Sequence, residues 1–209
     1  LLLTLPPNIL KARITSQLFC RKEAKEKISK KEVEIITQRV FESAKKEVSQ
    51  RFTEESGILA EDIYWVSLKI LEMKINGYPV SGLLGYQGKN LEFKILAVFL
   101  PKYYFEKVRQ IFKDLRFKIS AICYPGENLS SALKEGKESG IFLDVGGEIT
   151  QIFLVKKCKL QQIGEVPAGG KLFSQVLSQT LGIDEEDSRI LKERYSNGLL
   201  SSGSTRRIK

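Results

Sequence analysis

The chain has 209 residues, and its 42% hydrophobic content is enough to bury the core of one large domain or two small ones. It contains no histidine, which excludes most hydrolase triads and leaves carboxylate and backbone chemistry. The net charge of +9 arises from lysines mixed with glutamates. Such mixing is typical of solvated helical faces, so we expect no nucleic-acid partner.

Two features indicate the cellular location. Cys20, Cys123 and Cys158 are isolated and lack metal-ligand spacing, which favours a reducing cytoplasm. No stretch of the sequence is long and apolar enough to cross a bilayer. We therefore expect a cytoplasmic protein whose positive charge attracts an acidic partner or anionic lipid.

The first part of the chain predicts two strands and a long helix. Residues 1–5 and 14–20 favour strands. Ser29 followed by Glu32 is a capping-box pattern, which predicts the start of a helix that ends at Gly57. This helix is expected to bury one face with a 3.6-residue period, formed by Val33, Ile36, Val40, Ala44 and Val48.

A strand, a turn and a second strand are predicted next. Residues 63–75 are rich in β-branched and aromatic side chains, which favours one long strand. Asn76-Gly77 is a strong turn signal, and a glycine-rich loop follows over residues 82–88. Residues 91–100 favour another strand, which Pro101 ends.

The following segment predicts a helix, a short strand over residues 118–123 and a short helix over residues 128–134. The first of these helices is expected to bury one apolar face, formed by Tyr104, Val108, Ile111, Phe112 and Leu115. Together with the preceding elements, this order indicates a compact α+β module set between pieces of another domain.

The stretch with the most chemical content covers residues 140–150. An apolar strand leads through Asp144 into a turn with Gly146 and Gly147, and the chain leaves through Thr150 into a second apolar run. Adjacent glycines let backbone amides approach an anion, and a carboxylate at a strand end suits hydrated Mg²⁺. A plain β-hairpin has the same pattern, so this stretch alone leaves both interpretations open.

The chain continues with Val166-Pro-Ala-Gly-Gly and two predicted helices. The first has an apolar face formed by Leu172, Phe173, Val176, Leu177 and Leu181. The second, within residues 182–198, begins with acidic residues, carries Lys192 and stops at a glycine. This order resembles the second ATPase half of the actin-like superfamily. It is most similar to the bacterial FtsA and PilM proteins, whose pattern runs close to D-I-G-G-G-T-T-D and ends in A-E-x-L-K.

The resemblance implies an α/β fold. It would consist of pieces of the actin-like (ribonuclease-H-like) ATPase fold with an inserted small α+β module of the FtsA subdomain 1C type. The implied parts are the end of the first actin-like subdomain, the inserted module, the return to the first subdomain and the start of the second subdomain with its phosphate-binding hairpin: residues 1–20, 21–117, 118–138 and 139–209. The family's first phosphate loop would precede this sequence, so we expect an internal piece of a longer protein.

The resemblance also implies ATP and Mg²⁺ as ligands. The phosphates would lie over the amides of Gly146 and Gly147, and Thr150 would donate its hydroxyl to a phosphate oxygen. Asp144 would be the catalytic residue, and would bind Mg²⁺ through water or orient the attacking water. Lys192 holds the family position near the ribose.

Four residues depart from the family pattern. Glu148 and Ile149 replace a glycine and a threonine, and Gln151 replaces an acidic residue. Arg189 stands where the family's glutamate accepts a ribose hydroxyl. A carboxylate beside a triphosphate lowers affinity unless it faces solvent or the metal. These changes disfavour efficient ATP turnover, and we expect the chain by itself not to hydrolyse ATP usefully.

Three functions are open. An FtsA-like cell-division protein would link FtsZ filaments to the inner face of the cell membrane and associate with itself, and the spacing of Asn76-Gly77 and the glycine-rich loop favours this branch. A PilM-like scaffold of a pilus or secretion apparatus would bind a partner's peptide tail. An actin-fold small-molecule kinase is disfavoured by the insert.

The glycine-rich loop is itself a candidate for contact with a partner. Its apolar side chains Leu83, Leu84 and Tyr86 have little local sequence to cover them, which predicts an interaction loop. The alternative is that they fold back on the module's own sheet.

Overall fold

The structure is a computed structural model that describes residues 1–132 and 139–200. The predicted polar tail over residues 201–209 and the ends of the predicted helix and subdomain over residues 133–138 lie outside the described residues. The chain divides into two compact units. The first comprises Leu1–Gly140 and Phe153–Ile163, and the second comprises Ile141–Ile152 and the chain from Gly164 onward.

The first unit is built on a four-stranded sheet with the order β2–β5–β3–β4. These strands are Lys11–Cys20 (β2), Ile63–Ile75 (β3), Tyr78–Val80 (β4) and Asn90–Pro101 (β5). The predicted long strand and the strand ended by Pro101 are confirmed. β5 lies between β2 and β3 and is fully buried from Ile95 to Leu100, since its side chains are apolar on both faces. Asn76 and Gly77, both with positive φ, form the predicted turn into β4.

Helix α1 (Lys30–Ser56) packs on this sheet as predicted. The Ser29 hydroxyl accepts a hydrogen bond from the backbone N–H of Glu32 at 3.2 Å, which begins the helix. Gly57 ends it in the left-handed conformation, with φ 74°. Four of the five predicted face residues are buried and the fifth, Val33, packs against them, together with β5 side chains: Ile36, Val40, Ala44, Val48, Leu91, Phe93 and Ile95.

The inserted module begins earlier than predicted. β2 pairs antiparallel with β5 along all its residues, from Lys11 opposite Phe99 to Cys20 opposite Asn90. The prediction that the module starts at residue 21 is therefore wrong, because β2 is an edge strand of the module's own sheet. The short strands β1 (Leu2–Leu3) and β6 (Ala121–Ile122) pair in parallel on either side of the module in sequence, so the module joins two neighbouring strands.

Helix α2 (Lys102–Asp114) does not bury its predicted face. No residue of α2 is buried, and Tyr104, Ile111 and Leu115 of that face are 40%, 55% and 58% exposed. Phe105 stacks instead on Tyr64 of β3. The prediction failed because apolar residues occur all around this helix, so the 3.6-residue period does not select one stripe.

The remaining elements surround the predicted glycine turn. They are α3 (Pro125–Ala132), β7 (Gly140–Val145), β8 (Thr150–Lys156), β9 (Lys159–Val166), α4 (Gly170–Leu181) and α5 (Glu185–Ser196). β7, β8 and β9 form a sheet in that order, so the two apolar runs flanking the turn are neighbours as predicted. Both last helices have the predicted boundaries. Gly182, with φ 65°, ends α4, and the carboxylate of Asp184 accepts a hydrogen bond from the backbone N–H of Asp187 at the start of α5.

Candidate functional site

The turn between β7 and β8 lies directly against the start of α4. The backbone N–H of Gly170 donates to the carbonyl of Gly146 at 2.9 Å, and the N–H of Lys171 donates to the carbonyl of Gly147 at 2.8 Å. A Cβ atom on Gly169 would lie 2.4 Å from the Gly146 carbonyl oxygen, so only glycine permits this approach. The two glycine pairs of the sequence are thus in backbone contact.

The predicted phosphate ligands have different surroundings in this turn. The Gly146 amide donates to the Ile149 carbonyl at 3.1 Å, and the Thr150 hydroxyl donates to the Ala168 carbonyl at 2.6 Å. Both donors are therefore engaged within the protein. Asp144 is exposed near the end of β7. Gly147 has open space beside it, since a Cβ atom there would meet no heavy atom within 4 Å.

An open cavity of about 530 Å³ lies beside Gly147. Its walls are the backbone of Gly147 and Gly170 and mostly charged side chains of α4 and α5: Lys171, Ser174, Glu185, Glu186, Arg189, Lys192 and Glu193. Two of the predicted site residues, Gly147 and Lys192, line this cavity. Asp144, Gly146 and Thr150 are not among its described lining residues.

Lys192 is held at the start of α4. Its ammonium group donates to the Gly170 carbonyl at 2.8 Å and to the hydroxyl of the buried Ser174 at 3.0 Å. Lys192 therefore brings a positive charge close to the open backbone of Gly147 from a defined direction. With Lys171 on the same wall, the cavity has two cations and accessible backbone, which suits a phosphate group.

Arg189 is engaged with its own helix neighbours. Its guanidinium donates to Glu186 and to Glu193, each at 2.6 Å. The hydrogen bond from Arg189 lowers the pKa of the Glu186 carboxyl, and the two carboxylates raise the pKa of Arg189. Glu193 and Glu185 are carboxylates that can accept hydroxyl hydrogen bonds at this wall. Within residues 1–132 and 139–200, no group of three or more acidic, cysteine or histidine side chains is arranged to hold a metal ion.

The glycine-rich loop of the module is partly core. Leu83 is only 3% exposed and packs in the α1–β5 core, so the prediction that it is an exposed member of the interaction loop is wrong. Leu84 and Tyr86 are 63% and 48% exposed. The buried guanidinium of Arg21 donates to the carbonyl of Gly88 at 2.9 Å, which fixes the end of the loop. Two exposed apolar side chains thus stand on a well-held loop.

A second candidate site, which the sequence did not reveal, lies in the first unit. We call it the α2 groove. It is an open groove of about 800 Å³ between β3, α2 and the segment from Arg116 to Ile122. Its aromatic and aliphatic surface comes from Tyr64, Val66, Phe105, Phe112, Phe117, Ile119 and Ile122. Its charged lining consists of Arg109, Lys113, Arg116 and Lys118.

The sequence carried a signal for this groove. From Tyr103 to Lys118 aromatic and cationic residues alternate around the helix, which is more apolar surface than one packed face needs. A helix of this kind that buries none of its residues is typical of a binding surface. The partners of α2 in the groove come from distant parts of the chain, which the periodicity of one segment does not identify.

No helix in the described part of the chain is long and apolar enough to cross a membrane. Glu32, at the start of α1, has a pKa held below its ordinary value by the hydrogen bonds and positive charge of Arg21.

Comparison with known proteins identifies the fold. No protein-family profile matches the chain, and no curated protein matches it in sequence. Among solved structures, a chain of the PilM–PilN type IV pilus biogenesis complex matches with a TM-score of 0.63 and 12% identity, covering 99% of this chain and 53% of that chain. The present chain thus spans about half the length of that relative.

Two further structures match shorter parts. The ethanolamine utilization protein EutJ from Carboxydothermus hydrogenoformans is 22% identical over 44% of this chain and 33% of its own, with a TM-score of 0.37. MreB5 of Spiroplasma citri bound to ADP is 13% identical over 44% of this chain and 31% of its own, with a TM-score of 0.37. The fold assignment rests on the first match, which confirms the predicted α/β, actin-like ATPase fold. At these identities the similarity concerns the fold alone.

Proposed function

We propose that this chain is part of a PilM-like assembly scaffold, an actin-like-fold protein that holds an extended segment of a partner protein in the α2 groove. The observation that carries this proposal is the groove itself. Its volume of about 800 Å³ is within the range of ligand-binding clefts, and the stacked rings of Tyr64 and Phe105 line it. The match to a chain of the PilM–PilN complex supports a role in pilus or secretion assembly over the FtsA branch.

The groove suits an extended peptide better than a small metabolite. It is open along its length and has several apolar side chains with cations among them, and it lacks a closed, polar pocket. Alternate side chains of an extended segment point in one direction, so apolar residues two apart would contact the aromatic surface together. A partner's tail would gain most of its affinity from these few anchors.

We further propose that the cavity beside Gly147 binds a nucleotide, in the family ATP with Mg²⁺. The Gly147 backbone and Lys171 would face the phosphates, while Lys192 and Glu193 would face the ribose. Asp144 would hold Mg²⁺ through water. Gly146 and Thr150 would act by shaping the turn, since their donors are engaged within it. The bound nucleotide would supply negative charge at the start of α4, where the backbone amides and two lysines favour it.

An FtsA-like cell-division protein, with FtsZ filaments and further copies of itself as partners at the membrane, is the second candidate. It is favoured by one observation, the exposure of Leu84 and Tyr86 on the loop that Arg21 holds in place. On this account the loop would contact a neighbouring subunit. The two candidates differ in which surface of the module binds a protein.

The proposed function is tested by selecting short random peptides on the immobilised full chain by phage display. We expect selected peptides to be rich in apolar residues, and their affinity to fall at least about tenfold when Ala121→Trp fills the groove. Leu84→Asp, on the module but outside the groove, is the matched control and should leave the affinity unchanged. Failure to select any peptide, or equal binding to the Ala121→Trp variant, would overturn the proposal.

A further inference from the structure

The charged lining of the α2 groove has one sign. Arg109, Lys113, Arg116 and Lys118 line it, and no aspartate or glutamate is among its described lining residues. The cavity beside Gly147 is different, because acidic and basic side chains line it together and pair with one another. A groove with four cations has a positive potential that selects the charge of its occupant.

These cations are not neutralised within the module. Arg109 lies 3.4 Å from Glu106, but both side chains are more than half exposed, so this pair contributes little. In the described part of the chain, Lys113, Arg116 and Lys118 form no ion pair with a carboxylate. Four like charges around one groove repel one another, and that cost is relieved when an occupant supplies anions.

The helix dipole explains only part of this arrangement. Cations near the last turn of α2 interact favourably with its carbonyl end, which accounts for Lys113. Lys118 lies beyond the helix, and Arg109 is a full turn before its last residues. Arg116 has a positive φ of 59°, a conformation that glycine or asparagine adopts at lower cost. Local backbone structure therefore does not explain an arginine at position 116.

We propose that the occupant of the α2 groove is an acidic peptide segment of a partner protein. Its apolar side chains lie on the rings of Tyr64, Phe105 and Phe112, and carboxylates flanking them pair with the four cations. This inference rests on the proposed function and names the chemistry of the partner. A peptide is favoured over an anionic membrane because these rings are partly buried in a concavity, which a flat bilayer surface does not enter.

The test uses the peptides selected on the full chain. We expect aspartate and glutamate to be enriched beside the apolar residues. The tightest peptide is then synthesised together with a copy in which asparagine and glutamine replace these acids. Measured by fluorescence anisotropy at low salt, the amide copy should bind about tenfold more weakly, and the difference should shrink at high salt.

Arg116→Gly provides a variant that removes one cation without disturbing the turn. Glycine suits the positive φ, so the melting temperature should stay the same or rise. The acidic peptide should lose about tenfold in affinity for this variant, and the amide copy should lose none. Lys102→Gln, on the same helix but outside the groove, is the matched control and should change neither affinity.

Each result has a distinct meaning. Peptides that bind in the groove without acidic enrichment, and equally to the Arg116→Gly variant, would overturn this inference and leave the proposed function in place. Failure to select any peptide would overturn the proposed function, and the inference with it. Vesicles of phosphatidylglycerol that bind the full chain and are released by Arg116→Gly, while the acidic peptide does not compete, would show a membrane as the occupant and contradict the inference.

Discussion

Tyr64 and Phe105 stack face to face, with ring centroids 3.7 Å apart and ring planes 9° apart. This pair joins strand β3 to helix α2, a helix with no buried residue of its own. The position of α2, and with it the width of the α2 groove, therefore depends on a small number of aromatic contacts. The same side chains that place the helix also line the groove.

Phe105→Ala removes one ring of this stack. Because Phe105 is only partly buried, we expect a loss of about 1–2 kcal/mol in the free energy of unfolding, less than for a core phenylalanine. Binding of the selected peptides should fall at least about tenfold, since the groove loses an anchor surface. Urea unfolding and fluorescence anisotropy measure the two effects. Tyr103→Ala, two positions earlier and 65% exposed, is the control, and an equal loss of binding there would argue against a specific role for the stack.

Arg21→Ala breaks the most buried ion pair of the module. The Arg21 guanidinium, 2% exposed, forms two hydrogen bonds with Glu32, at 2.7 and 2.9 Å, and also donates to the Gly88 carbonyl. Its loss leaves that carbonyl without its arginine donor, so we expect unfolding by urea to require about 3 kcal/mol less. Arg51→Ala, whose 3.9 Å pair with Glu47 is exposed, should change stability by less than about 0.5 kcal/mol. Equal effects of the two variants would refute the structural role of Arg21.

The Arg21–Glu32 pair also predicts a pH dependence of stability. Hydrogen bonding to Arg21 lowers the pKa of Glu32 below its ordinary value of 4.5, so the unfolded chain binds this proton more readily than the folded chain. The stabilisation is present above 4.5 and is lost as the pH falls through the lower pKa of the folded protein. In urea unfolding across this range, Glu32→Gln should be less stable than the native chain at neutral pH, and the difference should narrow in acid. A constant difference at all pH values would contradict the assignment.

Gly169→Ala tests the backbone contact between the two glycine pairs. The added Cβ would lie 2.4 and 2.6 Å from the carbonyl oxygens of Gly146 and Gly147, so the backbone must shift, at a cost of about 1–3 kcal/mol. Gly147→Ala is the matched control, since open space surrounds that position and stability should not change. If the cavity binds nucleotide, Gly147→Ala should still weaken binding of a fluorescent ATP analogue. Normal nucleotide binding by both variants would show that the turn is only a hairpin.

Leu84→Asp and Tyr86→Ala test the second candidate function. Both side chains are exposed, so neither substitution should lower the melting temperature. If the loop contacts another subunit, sedimentation velocity should show weaker self-association for both variants. Leu83→Ala reaches the core and should cost about 3 kcal/mol in stability. Unchanged association in the Leu84 and Tyr86 variants would remove the observation that favours the FtsA-like role.

Elements whose patterns are local could be predicted from the sequence. Helix α1 was identified by its Ser29 cap, its Gly57 stop and one buried stripe, and β3 and β5 by continuous β-branched and aromatic runs. The face of α2 was not predictable, because its apolar residues surround the helix. The membership of β2 in the module was missed because its partner β5 lies about seventy residues later, and pairing over that distance leaves no local signal.

The candidate sites show the same limit. The sequence identified the glycine turn, and the structure adds that its carbonyls face the start of α4, where Gly169 and Gly170 meet them. That contact depends on two segments separated by β8 and β9. The α2 groove combines β3, α2 and the segment after it, and so it became visible only when the fold was known.

The central claim is that the α2 groove holds a partner's segment, and amide chemical shifts test it most directly. The tightest selected peptide is titrated into the isotopically labelled full chain, and the shifts are followed by two-dimensional correlation spectroscopy. The account predicts saturable changes centred on Val66, Phe105 and Ala121, with little change at Gly147. Changes centred on Leu84 and Tyr86, or on the cavity beside Gly147, with none at Val66 and Phe105, would contradict it.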